Sequence, residues 1–486
     1  MDKVLGNLEP AALWNHFERI CSIPHPSKKE RKLAAYVRDA ARSRGLESMI
    51  DKAGNVIVRK GARAGMENRR TVVLQAHLDM VPQKNSDVAH NFETDPIRPR
   101  VDGQVVRADG TTLGSDNGIG IAAILAILES ADLPHGPIEA LLTADEEAGM
   151  GGANGLKPGL LEGDILFNLD SEDEGEICIG CAGGMDVLAR MRYQEKSPPK
   201  GSAAFRVSVS GLRGGHSGVD IHLGRANANK ILDRILWEAR RGTALRIARW
   251  EGGDLRNAIP RDATALVVMP AKDANGFRKK AQLAADVIRE EFRAADPALR
   301  VTVEGAAVPS KTMDVSTTDR LLNALYACPH GAFAMLRDMP GVTETSNNLA
   351  IVRAGRGTVS VTNMLRSSVE TRKTDVANMI RSVFEMAGAE VRLSASYPGW
   401  QPNTDSPVLR SLQGIYRRMF GKVPSVTATH GGLECGIIRS VYPSMDAVSF
   451  GPTIRFPHSP DEHVDIPSVK RFWDFLIETL KEIPAR

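Results

Sequence analysis

The sequence predicts an α/β fold in two parts. A mixed sheet lies between helices, an α+β domain interrupts it, and the C-terminal part completes the first sheet. Three observations predict this. The chain has 486 residues, too many for one hydrophobic core, because cores stop growing near ~250–300 residues. Strand and helix patterns alternate through the first part of the chain, as in a sheet covered on both faces. From about residue 187 the pattern changes to alternating strands, as in a sheet with helices on one face.

The elements follow in order. Residues 10–21 and 28–44 carry apolar positions at helical spacing. Asn55–Arg59 and Thr71–Ala76 read as strands, Ile119–Ser130 as a helix, and Ile138–Thr143 and Ile165–Leu169 as strands. Runs such as Val72-Val73-Leu74 suit strands buried on both faces. The polar, Pro-containing stretch Gln194–Gly201 reads as a linker or hairpin tip. Beyond it come strands at Phe205–Ser210, Thr264–Met269, Arg300–Glu304, Val359–Thr362 and Ser367–Thr371, with helices at about Arg225–Arg241 and at Thr374–Ala387. A closing helix is expected at Ser468–Ile483. The expected domains are 1–186 with 390–486, interrupted by 187–389.

Composition excludes several classes. Apolar content of 42% and charged content of 25% are ordinary for a globular protein. The 62 basic and 59 acidic residues nearly balance, which argues against a nucleic-acid partner. The first residues lack the apolar stretch of a signal peptide. The longest apolar run, Ile119–Leu128, is far short of the ~20 residues of a membrane span. The expectation is a cytoplasmic protein with no membrane partner. Five cysteines make no disulfide framework. Cys178-Ile179-Gly180-Cys181 has redox or zinc spacing, but no second pair completes a site, and two buried thiols are the plainer reading.

Five short segments carry the chemistry. His77 and Asp79, in Gln75-Ala76-His77-Leu78-Asp79, follow an apolar strand and point to the same side. His77 can offer a metal ligand, and Asp79 can hold its other ring nitrogen; the pair can equally be structural. Asp116, in Gly114-Ser115-Asp116-Asn117-Gly118, opens an apolar helix, either as a ligand or as an N-cap. Asp145-Glu146-Glu147 follows the strand Ile138–Thr143 and is either a solvated acidic loop or a cation site. Adjacent carboxylates there can divide the work, one binding metal and one taking a proton. Asp170 follows the strand Ile165–Leu169, and His458 sits in a Pro-restricted loop near the C-terminus. Together these histidines and carboxylates, without cysteine, suit two divalent metal ions at the carboxyl ends of the strands.

These five segments, in this order, resemble the di-zinc peptidases of the aminoacylase and carboxypeptidase superfamily, and within it the aminoacyl-histidine (Xaa-His, carnosine-cleaving) dipeptidases. The resemblance covers essentially the whole chain. It implies a di-zinc exopeptidase-like catalytic domain with an inserted lid or dimerisation domain, and a small dipeptide substrate. It implies that Asp116 bridges two metals, with His77 and Asp170 on one and Glu147 and His458 on the other. The metals would be zinc, although the same ligands accept manganese or cobalt. Glu146 would be the general base, and Asp79 would orient His77.

The resemblance extends to the insert. His216, in Gly214-Gly215-His216-Ser217-Gly218, would hold the scissile carbonyl or oxyanion, often in the partner subunit's site, so that a homodimer is expected. Without the resemblance it is a surface histidine in a glycine turn. Asn257 would donate to the substrate, and Arg366 would clamp its terminal carboxylate. His430 and Glu434, in His430-Gly431-Gly432-Leu433-Glu434, would touch the substrate or order the site. The insert of about 200 residues is longer than in the short-insert relatives of the superfamily. That leaves open whether His216 acts within its own chain or across a dimer. Two other functions compete. One is a di-zinc amidohydrolase acting on N-acyl amino acids, or a tripeptidase. The other is a non-catalytic metal- or ligand-binding protein.

Overall fold

A computed structural model describes residues 4–486. The chain divides into two compact units. One contains the chain through Gly180, with 402–428 and 433–486; the other contains 181–401 and 429–432. The expected boundaries near 186 and 390 therefore fall inside the second unit. Sheet pairing explains the difference: the strands Gly183–Arg192 and Glu390–Tyr397 pair with each other.

The first unit is built on an eight-stranded mixed sheet. Its order is Glu47–Ile50, Val56–Lys60, Ile138–Thr143, Val72–His77, Ile165–Asn168, Asp446–Ser449, Glu176–Cys181 and Ser425–Thr429. The four strands from Ile138–Thr143 to Asp446–Ser449 run parallel. The first three of those four are buried along their whole length. Their sequences are near-continuous apolar runs because both faces are covered. One cover is the helix Ser115–Glu129, buried from Ser115 through Leu128. A helix apolar on every side has no solvent face to present. The C-terminal helices Pro407–Phe420 and Ile466–Lys481 also belong to this unit.

A second, four-stranded sheet joins Ile454–Arg455, His463–Asp465, Val105–Ala108 and Pro99–Asp102. It pins both ends of the loop that carries His458, since Ile454 pairs with Val464 and His463 with Arg107.

The second unit is a nine-stranded antiparallel sheet. Apolar residues two apart on its strands, such as Val207 and Val209, or Val359 and Val361, join one core with helix residues including Ile231, Leu232, Ile235, Phe277 and Phe384. That is the expected α+β arrangement. Two local expectations fail. Gln194–Gly201 is no linker between domains; it joins Gly183–Arg192 to Ser202–Ser210 within one sheet. Ser367–Thr371 is not a separate strand. The strand Thr358–Ser367 ends there, and the helix Glu370–Met386 begins. Glu370 is drawn into the helix because its carboxylate meets Lys373 Nζ one turn on, at 3.0 Å.

Trp250 anchors the second core. It is fully exposed to no solvent, and its Nε1 donates to Asn229 Oδ1 at 3.1 Å. Trp250→Ala is expected to cost about 3–5 kcal/mol of stability. Urea unfolding followed by circular dichroism checks this; a loss under about 1 kcal/mol contradicts the packing described.

Candidate metal centre

Parallel strands end in register, so the residues that follow them collect along one edge of the sheet. His77 is the last residue of Val72–His77 and pairs with Thr143, the last of Ile138–Thr143. Its Nδ1 lies 3.0 Å from the Asp79 carbonyl oxygen and 3.6 Å from the Asp79 carboxylate. A carbonyl only accepts, so Nδ1 carries the proton and Nε2 is left as a ligand atom. Nε2 is 3.0 Å from Asp116 Oδ1 and 3.2 Å from Asp170 Oδ1. The Asp79 carboxylate accepts instead from the backbone N–H groups of Glu146, at 2.8 Å, and Glu147, at 3.2 Å. Asp79 thus ties the histidine strand to the acidic turn, and it is the Asp79 main chain that meets the ring at hydrogen-bond distance.

Asp116 sits at a kink: its backbone and that of Asn117 are non-helical within Ser115–Glu129, and its side chain caps no helix amide among the described residues. The Asp116 carboxylate turns to the two histidines: Oδ1 faces His77, and Oδ2 is 3.2 Å from His458 Nε2. The peptide bond between Asp116 and Asn117 is cis. Asn117 Nδ2 donates to the Leu169 carbonyl at 2.9 Å and to Asp170 Oδ1 at 2.5 Å, which orients the second aspartate.

The acidic run is not a solvated loop either. Asp145 adopts a left-handed φ of 56°, and the chain turns so that Glu146 and Glu147 are half-buried. Aspartate tolerates that region better than most residues. Glu147 Oε1 lies 2.9 Å from His458 Nε2. Potential donor atoms converge in three overlapping groups: His77, Asp116 and Asp170; Asp116, Glu147 and His458; and His77, Glu146 and Glu147. Within each group the atoms lie within 4.8 Å of one another.

The electrostatics show what this cluster is built to hold. Burial pushes Glu146 well above the usual carboxylate range, and Asp170, Glu434 and Glu147 add to it. Burial also raises Glu147 and Asp170, with Asp116 contributing to each. Glu172 is pushed to about 8 by burial and by Asp116 and Asp170. Conversely, hydrogen bonds to Asp116 and Glu147 raise His458 to about 11. Burial opposes a charged His77, yet Asp170, Asp116 and Asp79 raise it well above its usual value. Negative charge in surplus draws protons onto every available base. Two imidazoles and several carboxylates, with no thiolate among them, fit divalent cations with nitrogen and oxygen ligands.

Two groups support the cluster, of which Glu462 was not singled out in the sequence. Glu462 is buried, and its carboxylate receives the backbone N–H groups of Leu113, Gly114 and Ser115 at 2.8, 3.1 and 2.8 Å. Glu434, expected to touch the substrate or order the site, is fully buried in a polar chain. Its Oε2 accepts from Gln75 Nε2 and Thr143 Oγ1, each at 2.6 Å. Gln75 Oε1 accepts from Asn168 Nδ2 at 2.5 Å, and Asn168 meets Ser449. The chain crosses the carboxyl ends of the four parallel strands. In the sequence the one mark of this chain is Gln75, a polar side chain that interrupts an apolar run.

The remaining candidates lie in the second unit. The Arg366 guanidinium is buried; it donates to Tyr397 Oη at 3.2 Å and lies 3.5 Å from His216 Nε2. Its Nε has no partner among the described residues, and no carboxylate there forms an ion pair with it. His430 is buried, with Nε2 2.7 Å from Ser346 Oγ. Asn257 is exposed, and its carbonyl accepts from the Ser217 N–H at 2.8 Å.

A nitrogen–oxygen donor cluster at the carboxyl ends of a mixed sheet defines a metal-dependent hydrolase. Residues 73–482 match the model of peptidase family M20/M25/M40. The chain is 44% identical over 482 residues to the cytosol non-specific dipeptidase of Escherichia coli, covering 99% of each protein. Its structure matches the crystal structure of an aminoacylhistidine dipeptidase from Vibrio alginolyticus with a TM-score of 0.95 and 45% identity, over 99% of this chain and 98% of that one. A tripeptidase from Staphylococcus aureus shares the fold alone, at a TM-score of 0.57 and 16% identity over 98% and 99% of the two chains. The chain belongs to peptidase family M20/M25/M40 and is a metallopeptidase, a hydrolase of peptide bonds. Among the described residues no helix is long and apolar enough to cross a membrane.

The raised imidazoles give a measurable consequence. A divalent cation must displace the protons that the carboxylates hold on His77 and His458, so binding releases protons and strengthens as pH rises. Zinc titration calorimetry in two buffers of different ionisation enthalpy, from about pH 5.5 to about 7.5, is expected to show both effects. An affinity independent of pH and buffer contradicts the arrangement.

Proposed function

We propose that the chain is a cytoplasmic dipeptidase that hydrolyses aminoacyl-histidine dipeptides, β-alanyl-histidine among them, with two divalent cations. The observation that carries the reading is the Asp116 carboxylate set between the imidazoles of His77 and His458. Asp170 completes one half of the donor set and Glu147 the other. Zinc suits these ligands, and manganese or cobalt would be accepted by them. The dipeptide substrate is supported by the two relatives that match nearly the whole chain. The cytoplasm is supported by the cytosolic relative, and a homodimer by the family resemblance of the insert.

Bound divalent cations supply a polarised scissile carbonyl and a water that ionises near neutral pH. The protein residues do the rest. Glu146 takes the proton of the attacking water as its oxygen bonds to the carbonyl carbon. It then delivers that proton to the amide nitrogen as the carbon–nitrogen bond breaks, which releases the free amine and the carboxylic acid. Glu146 thus carries the proton between the two steps. Asp79 keeps Glu146 and Glu147 in place through their backbone N–H groups. Within the second unit, Arg366 is the candidate for the substrate's terminal carboxylate and His216 for the developing oxyanion, with Asn257 and His430 as further candidates for substrate contact.

Glu146→Ala is expected to lower kcat by about 10²–10⁴-fold, the range for a lost general base. Metal analysis of the same variant is expected to return two ions per chain, as in the wild type. Turnover at the wild-type rate removes Glu146 from this role.

Substrate class is tested with zinc-loaded protein on β-alanyl-histidine, glycyl-histidine, a dipeptide without histidine, an N-acetyl amino acid and a tripeptide. Dipeptides are expected to be cleaved with the highest kcat/KM, and histidine dipeptides best among them. Equal rates on all dipeptides would make the enzyme non-specific. Faster cleavage of the N-acetyl substrate would make it an amidohydrolase, and of the tripeptide a tripeptidase. No cleavage by protein carrying two ions would favour a binding protein.

A further inference from the structure

We propose that Glu462 is a positioning residue for the metal centre: through the turn at 113–116 it holds Asp116 where the two cation positions meet. The proposal rests on the two-cation reading above.

Glu462 is 2% exposed, and no basic side chain among the described residues forms an ion pair with it. A buried carboxylate without a counter-charge is costly unless hydrogen bonds replace its hydration. Here the replacement comes from one turn. Oε2 accepts the N–H groups of Leu113 and Gly114 at 2.8 and 3.1 Å. Oε1 accepts the Ser115 N–H at 2.8 Å, the Ser115 hydroxyl at 2.6 Å and the Asp116 N–H at 3.4 Å. Successive amides can converge on one anion because Gly114 has a left-handed φ of 73°.

The placement of Glu462 in the chain makes this more than a helix cap. It lies four residues after His458, on the loop pinned by Ile454–Arg455 and His463–Asp465. One loop therefore presents the His458 imidazole to Asp116 and grips the backbone that carries Asp116. The Asp116 carboxylate faces both imidazoles, so displacing this turn weakens both cation positions together. Loss of His458 alone would touch only one.

A cap and a positioning device differ in what they move. Two variants separate them: Glu462→Gln, which keeps the shape but sets an amide against amide donors, and Ser115→Ala, which removes one donor and keeps the carboxylate. Zinc affinity at both positions is read by competition with a chromophoric chelator. Thermal unfolding of the cation-free protein, and kcat and KM on glycyl-histidine, are read alongside. Glu462→Gln is expected to bind zinc about 10–100-fold more weakly at both positions, the usual effect of losing a group that orients a ligand. With zinc in excess, kcat is expected to fall while KM stays within about twofold of the wild type. Ser115→Ala is expected to shift both affinities in the same direction by less, and it decides the matter if Glu462→Gln does not fold. Unchanged affinity with a lowered melting temperature makes Glu462 a cap only and overturns the proposal, as does a loss confined to one position. Wild-type protein that binds no zinc overturns the two-cation reading and this inference with it. Two ions in the wild type and unaltered affinity in the variants overturn this inference alone.

Discussion

The Asp116 carboxylate, set between His77 and His458, is the interaction on which the rest of the first unit depends. Both oxygens are committed, one to each imidazole, at 3.0 and 3.2 Å. Around it Asp170, Glu146, Glu147 and Glu172 are buried or half-buried. Such a group of like charges is unfavourable in a low-dielectric interior, and protonation or cations must relieve it. Among the described residues no lysine or arginine forms an ion pair with these carboxylates. The protein leaves the deficit of positive charge to be met by something that fits between imidazole and carboxylate. The cost falls on folding, and the remainder of the unit is arranged to withstand it.

That arrangement begins with the sheet. Parallel pairing in register places the ends of four neighbouring strands side by side, so that residues far apart in the chain emerge together. Beneath the cluster, Thr143, Glu434, Gln75, Asn168 and Ser449 link those ends through side chains. A network of this kind specifies a single arrangement if its members are satisfied. It keeps the edge from fraying where the charges repel. The Asp79 carboxylate does the same for the acidic turn, and Asn117 for Asp170. Each uses a short polar side chain at fixed distance, where a long flexible one would let the ligand atoms drift.

The parts legible in the sequence were those with a local signature. Val72-Val73-Leu74 announces a buried strand, and a histidine or carboxylate directly after such a strand announces a site at its end. The helix after Asp116 was legible too, but not the direction of the Asp116 side chain, since capping and ligation use the same residue at the same place. The structure separates them by direction: the Asp116 carboxylate faces His77 and His458, while the amides of Leu113 to Asp116 are met by Glu462. No pattern could indicate that pairing: an acceptor at 462 meets backbone amides near 114, and amides leave no mark in a sequence. Glu434 was singled out only through the family resemblance, to touch the substrate or order the site, and its partners Gln75 and Thr143, on two strands of the sheet, could not be read from the sequence. The strand expected at Ser367–Thr371 failed for a different reason. Thr and Ser favour extended backbone locally, but Glu370 and Lys373 gain a contact only if the helix starts early.

The same distinction bears on substrate choice. A tripeptidase with 16% identity shares this fold, so the sheet and its insert do not by themselves select a dipeptide. Nor does a carboxylate–imidazole cluster distinguish one scissile amide from another. Selection must come from groups that read the ends of the substrate. In the second unit, Arg366 is buried at 5% exposure, with Tyr397 and His216 as polar neighbours and no partner at Nε among the described residues. A guanidinium so enclosed has given up much of its water; Asp186 is near enough to feel its charge, but no carboxylate among the described residues forms an ion pair with it. The unfavourable term is removed when a carboxylate meets it, and a planar fork prefers a carboxylate to a neutral amide. Each dipeptide carries such a carboxylate one residue from the bond to be cut, whereas a longer peptide places it farther away. A carboxylate that met such a guanidinium would return on binding part of what its burial costs the free protein.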